Sequence, residues 1–537
     1  MSTSNRDTSA ARAFHDATKY VAVKDEAGNE VSRMGTPPNV EPSIWQEDWS
    51  LEPFAFKIYE TLEPLPLPRD FAPSLMPALE AIARTGAEPT GERVPALADL
   101  ARIGLLANGL LNRQTTSRGG QTIEYRTAGG TGARYHLEIY FACADLPDLE
   151  AGVYHYAAHD HSLRRLRRGD YRQALVAATG DEPAIARAPV VLALSSTFWR
   201  NAWRYKGRTY RHTFWDSGTT LANALAVAAS IELPTRLVLG YADRQVNDLL
   251  GIDGAREATV ALCALGRVAQ PPPPAPEVTP LDYPVRAISP REVEFPVIGM
   301  LHGASALASG AEASAWRADP LRRQPAAPSG PETALTPLSD AELPPLRIED
   351  VILKRRSTRH YDTEVGIPFT AFSTLLDRSS RGFAADCLIP GAAPLHQQYL
   401  IVNGVEGLEP GVYRHEPSRH AVERLRAGEF RQQARRLAVN QEYAAHAHVN
   451  SYYLTNLGPV LEHYGNRGYR LAQLEPAIYA GKLHLGTHAL GLGAVGSTSF
   501  DDEVIDFFSP EAADASYMFV VVFGKRRRTR PYKASFV

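Results

Sequence analysis

Hydrophobic and polar residues follow short, regular patterns in both halves of this chain. Residues 136–141 (HLEIYF) alternate as a half-buried strand does, and residues 152–156 continue as a second strand. Continuous apolar runs at 258–266 and 517–523 are typical of buried strands. Two longer segments rich in Ala, Gly and Leu predict helices whose small side chains would let the two halves pack closely. These segments are 221–233 and 477–492. The pattern predicts an α+β fold.

The chain contains an internal repeat at an offset of 259 residues. Residues 149–173 and 408–432 align without a gap and share 12 identical positions. The same offset aligns 205–211 with 464–470, where two tyrosines and two arginines coincide. Because one offset holds across such distant segments, we expect a tandem duplication of one domain.

Shifts in composition divide the chain into four parts. Residues 1–50 are polar and are expected to wrap around the outside, and the first domain is expected at 51–268. Residues 269–345 begin with the proline-rich spacer 271–276 and stay rich in Pro, Ala and Ser, which predicts a linker with little regular structure. The second domain is expected at 346–537.

Composition and charge exclude several classes of protein. At 537 residues the chain is too long for one core, and its net charge of −3 gives no reason to expect nucleic acid. Its three cysteines lie far apart without a CxxC pair, which fits a reducing cytoplasm and argues against a disulfide framework or zinc site. No signal peptide is visible, and no apolar run reaches the roughly 18–20 residues of a membrane span. We expect a cytoplasmic protein with neither nucleic-acid nor membrane partners.

One basic segment, residues 354–359 (KRRSTR), follows the short apolar run 351–353, which indicates the end of a helix. Such a concentration of positive charge is costly unless an anion offsets it. Phosphate oxygens match the planar fork of donors on a guanidinium group. A solvated basic face is the alternative. The segment is therefore a candidate phosphate site.

Residues 352–362 (ILKRRSTRHYD) resemble the opening signature of the FMN-dependent nitroreductase superfamily. Segments at 14–19, 56–59, 411–413 and 464–470 are similar, more narrowly, to SagB/ThcOx-type dehydrogenases, several of which oxidise azoline rings in ribosomal peptides. The resemblance implies two tandem nitroreductase-like α/β sandwich domains that form an intrachain pseudo-dimer around FMN. It also implies a small-molecule or peptide substrate, biosynthetic partner enzymes, and a monomeric pseudo-dimer or a homodimer.

The two halves have diverged in complementary ways. The first-half counterpart of the basic segment, about 82–86 (IARTG), could not cradle a phosphate as well. In the first half, Gly129, Gly130, Thr131 and Gly132 resemble the loop that the opposite subunit lays against the flavin. Glycines there let the backbone approach a flat ring. The second copy of this loop (LIPGAA) lacks the hydroxyl and the glycine pair. We expect one FMN site per chain and a degenerate pseudo-symmetric site.

The resemblance assigns roles within the basic segment. Arg355 would hold the phosphate, Ser357 would donate to the ribityl or pyrimidine edge, and Arg359 would face the N1/O2 edge of the flavin. A cation at that edge suits the negative charge of a reduced flavin. Arg356 is either a further phosphate contact or a surface residue.

The resemblance also assigns roles at the flavin site to two further segments. The turn with Ser497, Thr498 and Ser499 occupies the place from which family members aim a backbone N–H at flavin N5, and an ordinary helix–strand turn is the alternative. A basic residue from the C-terminal cluster is expected near the phosphate. The candidates are Arg526, Arg527 and Arg528.

Catalytic residues are harder to assign. Azoline oxidases of this type are associated with a Lys-Tyr pair, whose positions here are Arg204-Tyr205 and His463-Tyr464. The lysine is absent from both, and an arginine cannot lose its proton near neutral pH, whereas a histidine can. The candidates are therefore Tyr464, His463 and Tyr205, and core packing is the alternative for both tyrosines.

The sequence leaves several other functions open. Histidine pairs such as His446 and His448 lack the carboxylate or cysteine that would complete a metal site, so no metal is expected. An FMN oxidoreductase could be an azoline dehydrogenase or an NAD(P)H-dependent nitro or flavin reductase. A non-redox peptide-binding scaffold of the same fold and a flavin-storing protein are the remaining alternatives.

Overall fold

The computed structural model describes residues 3–24, 30–34, 48–87, 91–115 and 122–527. Its α-helices are α1 Thr3–Arg6, α2 Ser9–Ala17, α3 Ala78–Arg84, α4 Leu97–Asn108, α5 Arg172–Ala178, α6 Pro183–Ala186, α7 Trp199–Tyr205, α8 Thr209–Ser230, α9 Asp243–Leu250, α10 Pro296–Ala304, α11 Gly310–Arg317, α12 Ile348–Lys354, α13 Phe369–Ser380, α14 Arg431–Leu437, α15 Glu442–His446, α16 Leu457–Tyr464, α17 Arg467–Ala489 and α18 Asp501–Phe508. Its strands are β1 Tyr20–Lys24, β2 Glu30–Met34, β3 Pro64–Pro66, β4 Leu110–Thr115, β5 Thr122–Arg126, β6 Leu137–Cys143, β7 Gly152–Ala157, β8 Ser162–Arg168, β9 Val190–Thr197, β10 Thr235–Val238, β11 Glu257–Leu265, β12 Glu332–Ala334, β13 His396–Val402, β14 Gly411–Glu416, β15 Ala421–Ala427, β16 Val449–Thr455, β17 Gly493–Ser497 and β18 Ser516–Gly524.

Two seven-stranded antiparallel sheets, one in each half, repeat the same topology. The first runs β10-β11-β9-β6-β7-β8-β3, and the second runs β17-β18-β16-β13-β14-β15-β12. The central strand β6 pairs with β7 and β9, just as β13 pairs with β14 and β16. The α+β class and the tandem duplication expected from the repeat are confirmed.

The long helices α8 and α17 lie side by side between the halves. Gly218 of α8 faces Ala477 of α17, and Gly481 of α17 faces Ala222 of α8. A Cβ atom on either glycine would overlap the facing methyl group, so only glycine allows this approach. The sequence places these helices correctly at the contact between the halves, but both begin earlier than the pattern predicts.

Four buried arginines and two buried carboxylates connect the halves reciprocally. Each arginine pair lies at the start of α8 or α17 and contacts the aspartate that begins α18 or α9 in the other half. The pairs are Arg208 and Arg211 with Asp501, and Arg467 and Arg470 with Asp243. Both nitrogen–oxygen distances at Asp243 are 2.6 Å. The duplicated halves therefore hold each other by the same charged contacts made twice.

Replacing Asp243 with alanine should lower the free energy of unfolding at pH 7 by about 3–5 kcal/mol, because two buried guanidinium groups lose their carboxylate. Burial by itself would raise the pKa of Asp243, but the charges of Arg467 and Arg470 outweigh it and lower the pKa to about 2. The carboxylate therefore stabilises the fold above the pKa of an unfolded aspartate, and this contribution is lost as the pH falls toward 2. Urea unfolding at pH 7 and pH 3 should show a smaller cost at the lower pH.

A control for this variant lies in the same helix. Asp248→Ala breaks an exposed pair with Arg244 and should cost less than about 1 kcal/mol. Equal costs for the two variants would contradict the structural role given to Asp243.

The N-terminal segment, expected on the outside, is partly buried between the halves. Phe14 of α2 lies edge-on to Tyr210 and Tyr469, with ring centroids 5.5 and 5.6 Å apart. These two tyrosines are counterparts in the repeat, so Phe14 lies near the axis that relates the halves.

Residues 269–345 contain more regular structure than their composition predicts. Helices α10 and α11 lie in this region, and β12 joins the second sheet by pairing with β15. Trp316 of α11 is buried and donates its indole N–H to the Tyr464 carbonyl at 3.0 Å, which attaches the linker to the second half. Both helices are only eight or nine residues long, so they carry little periodic signal.

Candidate functional site

A cavity of about 270 Å³ lies where the two halves meet. The first half contributes the loop 129–132 and side chains from α7 and α8. The second half contributes the segment after α12, the end of β17, and Tyr443 of α15. Tyr20 of the N-terminal segment also lines the cavity. The cavity therefore requires both halves of the chain.

Two residues of α8 hold the glycine-rich loop in place. The Asp216 carboxylate accepts hydrogen bonds from the Thr131 backbone N–H, at 2.9 and 3.0 Å, and from its hydroxyl at 2.8 Å. Thr219 donates its hydroxyl hydrogen to the Gly129 carbonyl at 2.8 Å. The His136 ring lies 3.0 Å from the same Asp216 carboxylate. The loop is therefore fixed by buried polar contacts.

Gly132 meets the hydroxyl of Tyr205 at the cavity wall. Its φ of 60° lies in the left-handed region, and a Cβ atom at this position would overlap the Tyr205 hydroxyl. Both the backbone conformation and the close approach therefore require glycine here.

The Gly132→Ala variant should weaken FMN binding, since relieving the overlap must displace either the loop or Tyr205. Overpacking of this kind costs about 1–3 kcal/mol, which is roughly 5- to 150-fold in affinity. Gly391→Ala is a matched control. Gly391 is the counterpart of Gly132 in the repeat and also has a positive φ, of 69°, but a Cβ atom on it would meet only open space. Fluorescence titration of the apoprotein measures both, and equal losses would contradict a specific contact at Gly132.

Arg355 is a buried cation at the end of α12. Its side chain donates to the Thr127 carbonyl at 3.2 Å, and its Nε has no hydrogen-bond partner in the described part of the chain. Burial, reinforced by the neighbouring Arg356, lowers the pKa of Arg355 to about 10. A Cβ atom on Gly129 would lie 3.8 Å from the guanidinium, so Arg355 reaches the glycine-rich loop of the other half. Its charge favours an anionic ligand at this place.

Two buried histidines of α17 lie near Arg355 and are uncharged at neutral pH. Burial and the charge of Arg355 lower the pKa of His488 to about 3 and hold the pKa of His484 well below its ordinary value. Arg526 adds to the effect on His488, and its side chain packs against Gly493. Among the described residues, no carboxylate is among the groups that shift these histidines or Arg355. The positive field is therefore not offset by the protein's own acids.

The other predicted residues of the segment 354–359 and of the C-terminal basic cluster have different surroundings. Ser357 and Arg359 line the cavity, and Ser357 bridges to Ala494 at the edge of β17. Arg356 donates to the Leu353 and Arg355 carbonyls and so caps α12. Arg527 is exposed and donates its backbone N–H to the residue 360 carbonyl. Arg528 lies outside the described residues.

Some residues of the predicted turn at the end of β17 line the cavity, and one lies in the core. Ser497 and Thr498 line the cavity, and the Ser497 hydroxyl lies 2.7 Å from the Tyr443 hydroxyl. Ser499 is fully buried and does not line the cavity. Two of the three turn residues are therefore brought to the site.

Of the three candidate catalytic residues, the structure brings only Tyr205 to this cavity. Tyr464 is fully buried, donates its hydroxyl hydrogen to the Cys387 carbonyl at 2.9 Å and accepts from the Leu321 backbone at 2.8 Å. His463 contacts the carbonyl of Asp319 in the linker. Both residues lie at the pseudo-symmetric position, where the linker packs.

At the pseudo-symmetric position the protein itself blocks the counterparts of the cavity turn, while a cavity of about 330 Å³ remains beside the counterpart loop 388–391. Strand register makes Leu239 and Gly240 the counterparts of Thr498 and Ser499. Both backbone N–H groups donate to the Asp386 carboxylate at 2.9 Å. Trp316 covers Tyr464, with ring centroids 5.0 Å apart. A loop of the second half and the linker thus cover the backbone groups and the tyrosine whose counterparts face the cavity on the other side.

Sequence reasoning missed several residues of the cavity. Tyr20, His212, Trp215, Asp216 and Tyr443 all line it. They come from the N-terminal segment, from the middle of α8 and from α15, and no motif joins them in the sequence. His212, Trp215 and Asp216 follow the tyrosine–arginine segment of the repeat directly, which is a weak signal, whereas Tyr20 and Tyr443 lie far from it in the sequence.

The described residues contain no group of three or more His, Cys, Asp or Glu side chains that could hold a metal ion. Within the same residues, no helix is long and apolar enough to cross a membrane.

Comparisons with known proteins agree with two related domains in one chain. The sequence pattern of the Nitroreductase family matches residues 133–267 and 352–525, one match in each half and together more than half of the chain. A nitroreductase-like protein of Methanocaldococcus jannaschii is 30% identical over 143 residues, which are 27% of this chain and 71% of that protein. The crystal structure of a nitroreductase-like protein from Anabaena variabilis superposes with a TM-score of 0.73 and 23% identity, covering 97% of this chain and 100% of that one. That superposition shows a common fold.

Proposed function

Since this chain belongs to the nitroreductase family, we propose that it is an FMN-dependent oxidoreductase with one flavin site built from both halves. The observation that carries this proposal is Arg355, a buried guanidinium that faces the other half's glycine-rich loop and has no carboxylate to offset it. A phosphate group is the anion that such a site suits best.

The residues at the cavity fit FMN. Arg355 would hold the phosphate, helped by Arg526 or Arg527 from the segment after β18. Ser357 and Arg359 would contact the pyrimidine side, while the loop 129–132 would cover the ring. The unpaired Nε of Arg355 supports the phosphate assignment. The backbone at Ser497 and Thr498 would face the reactive edge.

When bound, FMN would supply acceptance and donation of a hydride. Tyr205 would hold the substrate proton, because its hydroxyl reaches the cavity beside Gly132. Burial raises the pKa of Tyr205 above its ordinary value, so the hydroxyl is protonated near neutral pH and would accept the substrate proton while passing its own proton on to solvent. Arg204, at the usual lysine position, is exposed and cannot act as a base.

We further propose a peptide-derived or other natural-product substrate such as an azoline ring, made available by biosynthetic partner enzymes. The SagB/ThcOx-like segments support this, and so do the aromatic walls of the cavity. The rings of Trp215 and Phe519 lie 5.1 Å apart there, which suits a flat ring. All three cysteines are free and buried, which fits the reducing cytoplasm in which we place the protein.

An anaerobic experiment tests the proposal and separates its parts. The purified chain should be yellow or become yellow with added FMN, and a thiazoline-containing peptide should bleach the flavin spectrum. Bleaching by NADH or NADPH but not by the thiazoline would replace the azoline substrate with a nitro or flavin reductase. A colourless chain that takes up no FMN would overturn the flavin proposal and favour a non-redox scaffold.

A further inference from the structure

A buried histidine in the first turn of α8, His212, lines the cavity between the halves. Its Nδ1 lies 2.9 Å from the side-chain oxygen of Asn201. Its other ring nitrogen, Nε2, has no hydrogen-bond partner in the described part of the chain. Buried polar atoms are normally hydrogen-bonded, so an unpaired nitrogen on a residue that lines a cavity points to a ligand as its partner.

The contacts of Asn201 determine which nitrogen of His212 carries the hydrogen. Asn201 donates an amide hydrogen to the Thr131 carbonyl at 3.5 Å, and its side-chain oxygen accepts from the Thr209 hydroxyl at 3.0 Å. Because this oxygen can only accept, Nδ1 of His212 is the protonated nitrogen and Nε2 carries a lone pair. Burial and the charge of Arg208 hold the pKa of His212 well below its ordinary value, so the ring is neutral near pH 7. Nε2 is therefore a hydrogen-bond acceptor only.

The repeat shows that the fold does not need this polar pair. At the offset of 259 residues, the counterparts of Asn201 and His212 are Val460 and Leu471. Both are buried, at the matching places in α16 and α17. Apolar side chains therefore suffice for packing at the pseudo-symmetric position, whereas the polar pair occurs beside the cavity that both halves line. This difference indicates a role in binding rather than in folding.

Two aromatic rings adjoin His212 in the cavity. The Tyr205 ring stands edge-on to the imidazole, with centroids 4.8 Å apart, and the Trp215 centroid lies 5.1 Å from it. Tyr205 is the proposed proton acceptor, and Trp215 forms the aromatic wall with Phe519. A group bound to Nε2 would therefore lie close to both the proton acceptor and the surface that suits a flat ring.

We infer that His212 anchors the substrate by accepting a hydrogen bond from an amide N–H, an inference that rests on the proposed FMN site and its flat-ring substrate. In a ring made from a peptide chain, the next peptide bond is attached directly to the ring, so an amide N–H lies close to the atoms that are oxidised. A site that pairs with this N–H rejects analogues without it, because its acceptor would stay unpaired in a closed cavity. His212 thereby selects peptide-derived rings and holds them beside Tyr205.

Two product-like probes of nearly equal shape test this anchor on the FMN-loaded chain. Thiazole-4-carboxamide carries the N–H, and 4-acetylthiazole has a methyl group in its place. The change in the flavin absorption spectrum on binding measures the affinity of each probe without turnover. The carboxamide should bind about 5- to 150-fold more tightly than the ketone, the range for one buried hydrogen bond and the acceptor that its loss leaves unpaired.

The variants His212→Leu and Asn201→Val/His212→Leu carry the residues that the other half already has at these positions. In both variants the two probes should bind within about twofold of each other, because the acceptor is gone. FMN affinity should stay within about threefold of the original, because no flavin contact is assigned to Nε2. His463→Leu is the control, since it removes a histidine that contacts the linker, and it should discriminate between the probes as the original chain does.

Equal binding of the two probes by the original chain, or continued discrimination by His212→Leu, would overturn the inference. A loss of FMN affinity in His212→Leu as large as the loss of carboxamide affinity would also overturn it, because the donor would then belong to the flavin. A chain that takes up no FMN would remove the proposed flavin site and this inference with it. Its colourless spectrum distinguishes that failure from a yellow chain that binds both probes equally.

A crystal structure of the unaltered chain with FMN and the carboxamide gives the answer if the His212 variants do not fold. The amide nitrogen should lie about 3 Å from Nε2 of His212, and an amide placed elsewhere would reject the anchor. Nicotinamide and 3-acetylpyridine differ by the same exchange of an amino group for a methyl group. Discrimination within that pair, without discrimination between the thiazoles, would assign the site to a nicotinamide cofactor and overturn the peptide-derived substrate.

Discussion

FMN retention should be lost when Arg355 and Arg359 are both replaced by alanine. Each charge-assisted hydrogen bond contributes about 1.5–3 kcal/mol, so losing two should weaken FMN binding by roughly 10²- to 10⁴-fold. Arg355 matters most, because burial among His484 and His488 leaves its charge without a protein carboxylate to offset it. Fluorescence titration of the refolded apoprotein with FMN measures the loss.

Arg84→Ala provides the control for this variant. Arg84 ends α3, the first-half counterpart of α12, but it is about half exposed and pairs with Glu80 one turn earlier. Its replacement should leave FMN affinity within about twofold of the original, as expected for an exposed pair worth less than about 1 kcal/mol. Comparable losses in the two variants would mean that both halves bind the phosphate.

The second large effect is expected for Tyr205→Phe. If the Tyr205 hydroxyl transfers the substrate proton, its removal should slow flavin reduction by a thiazoline peptide by about 10²- to 10⁴-fold, the usual contribution of a positioned acid or base. FMN affinity should stay nearly unchanged, because the phenyl ring still fills the space beside Gly132. Anaerobic single-turnover mixing measures the rate, and equilibrium titration measures the affinity.

Tyr464→Phe and His463→Ala are the matched controls for Tyr205. Both positions repeat the same sequence motif, but Tyr464 is buried beneath Trp316 and His463 contacts the linker. Neither variant should slow flavin reduction more than a few-fold. A slow Tyr464→Phe variant with a normal Tyr205→Phe variant would place the chemistry at the other pseudo-symmetric position.

The repeat made the fold predictable. Once residues 149–173 and 408–432 align, the strands β6–β11 of the first sheet correspond to β13–β18 of the second, although the β4–β5 hairpin has no counterpart among the described residues of the second half. The basic segment and the glycine-rich loop could also be predicted from the sequence. Clustered positive charge indicates an anion nearby, and clustered glycines indicate a close approach of the backbone. The two segments lie on opposite halves and meet at one cavity in the structure.

The asymmetry between the two positions was only partly predictable. The loss of arginines near α3 indicated a degenerate half, but nothing local showed what fills it. Asp386 contacts backbone groups 146 and 147 residues away, and Trp316 lies in a proline-rich region without helical periodicity. The identical tyrosine motifs at 205 and 464 therefore face different surroundings, which sequence alone could not distinguish.

Calorimetric titration of the apoprotein with FMN tests the central claim most directly. The cavity beside Arg355 should bind flavin, and the position filled by Asp386 and Trp316 should not. We expect a stoichiometry of one FMN per chain. A stoichiometry of two would contradict it, because the filled position would then have to open and bind a second flavin.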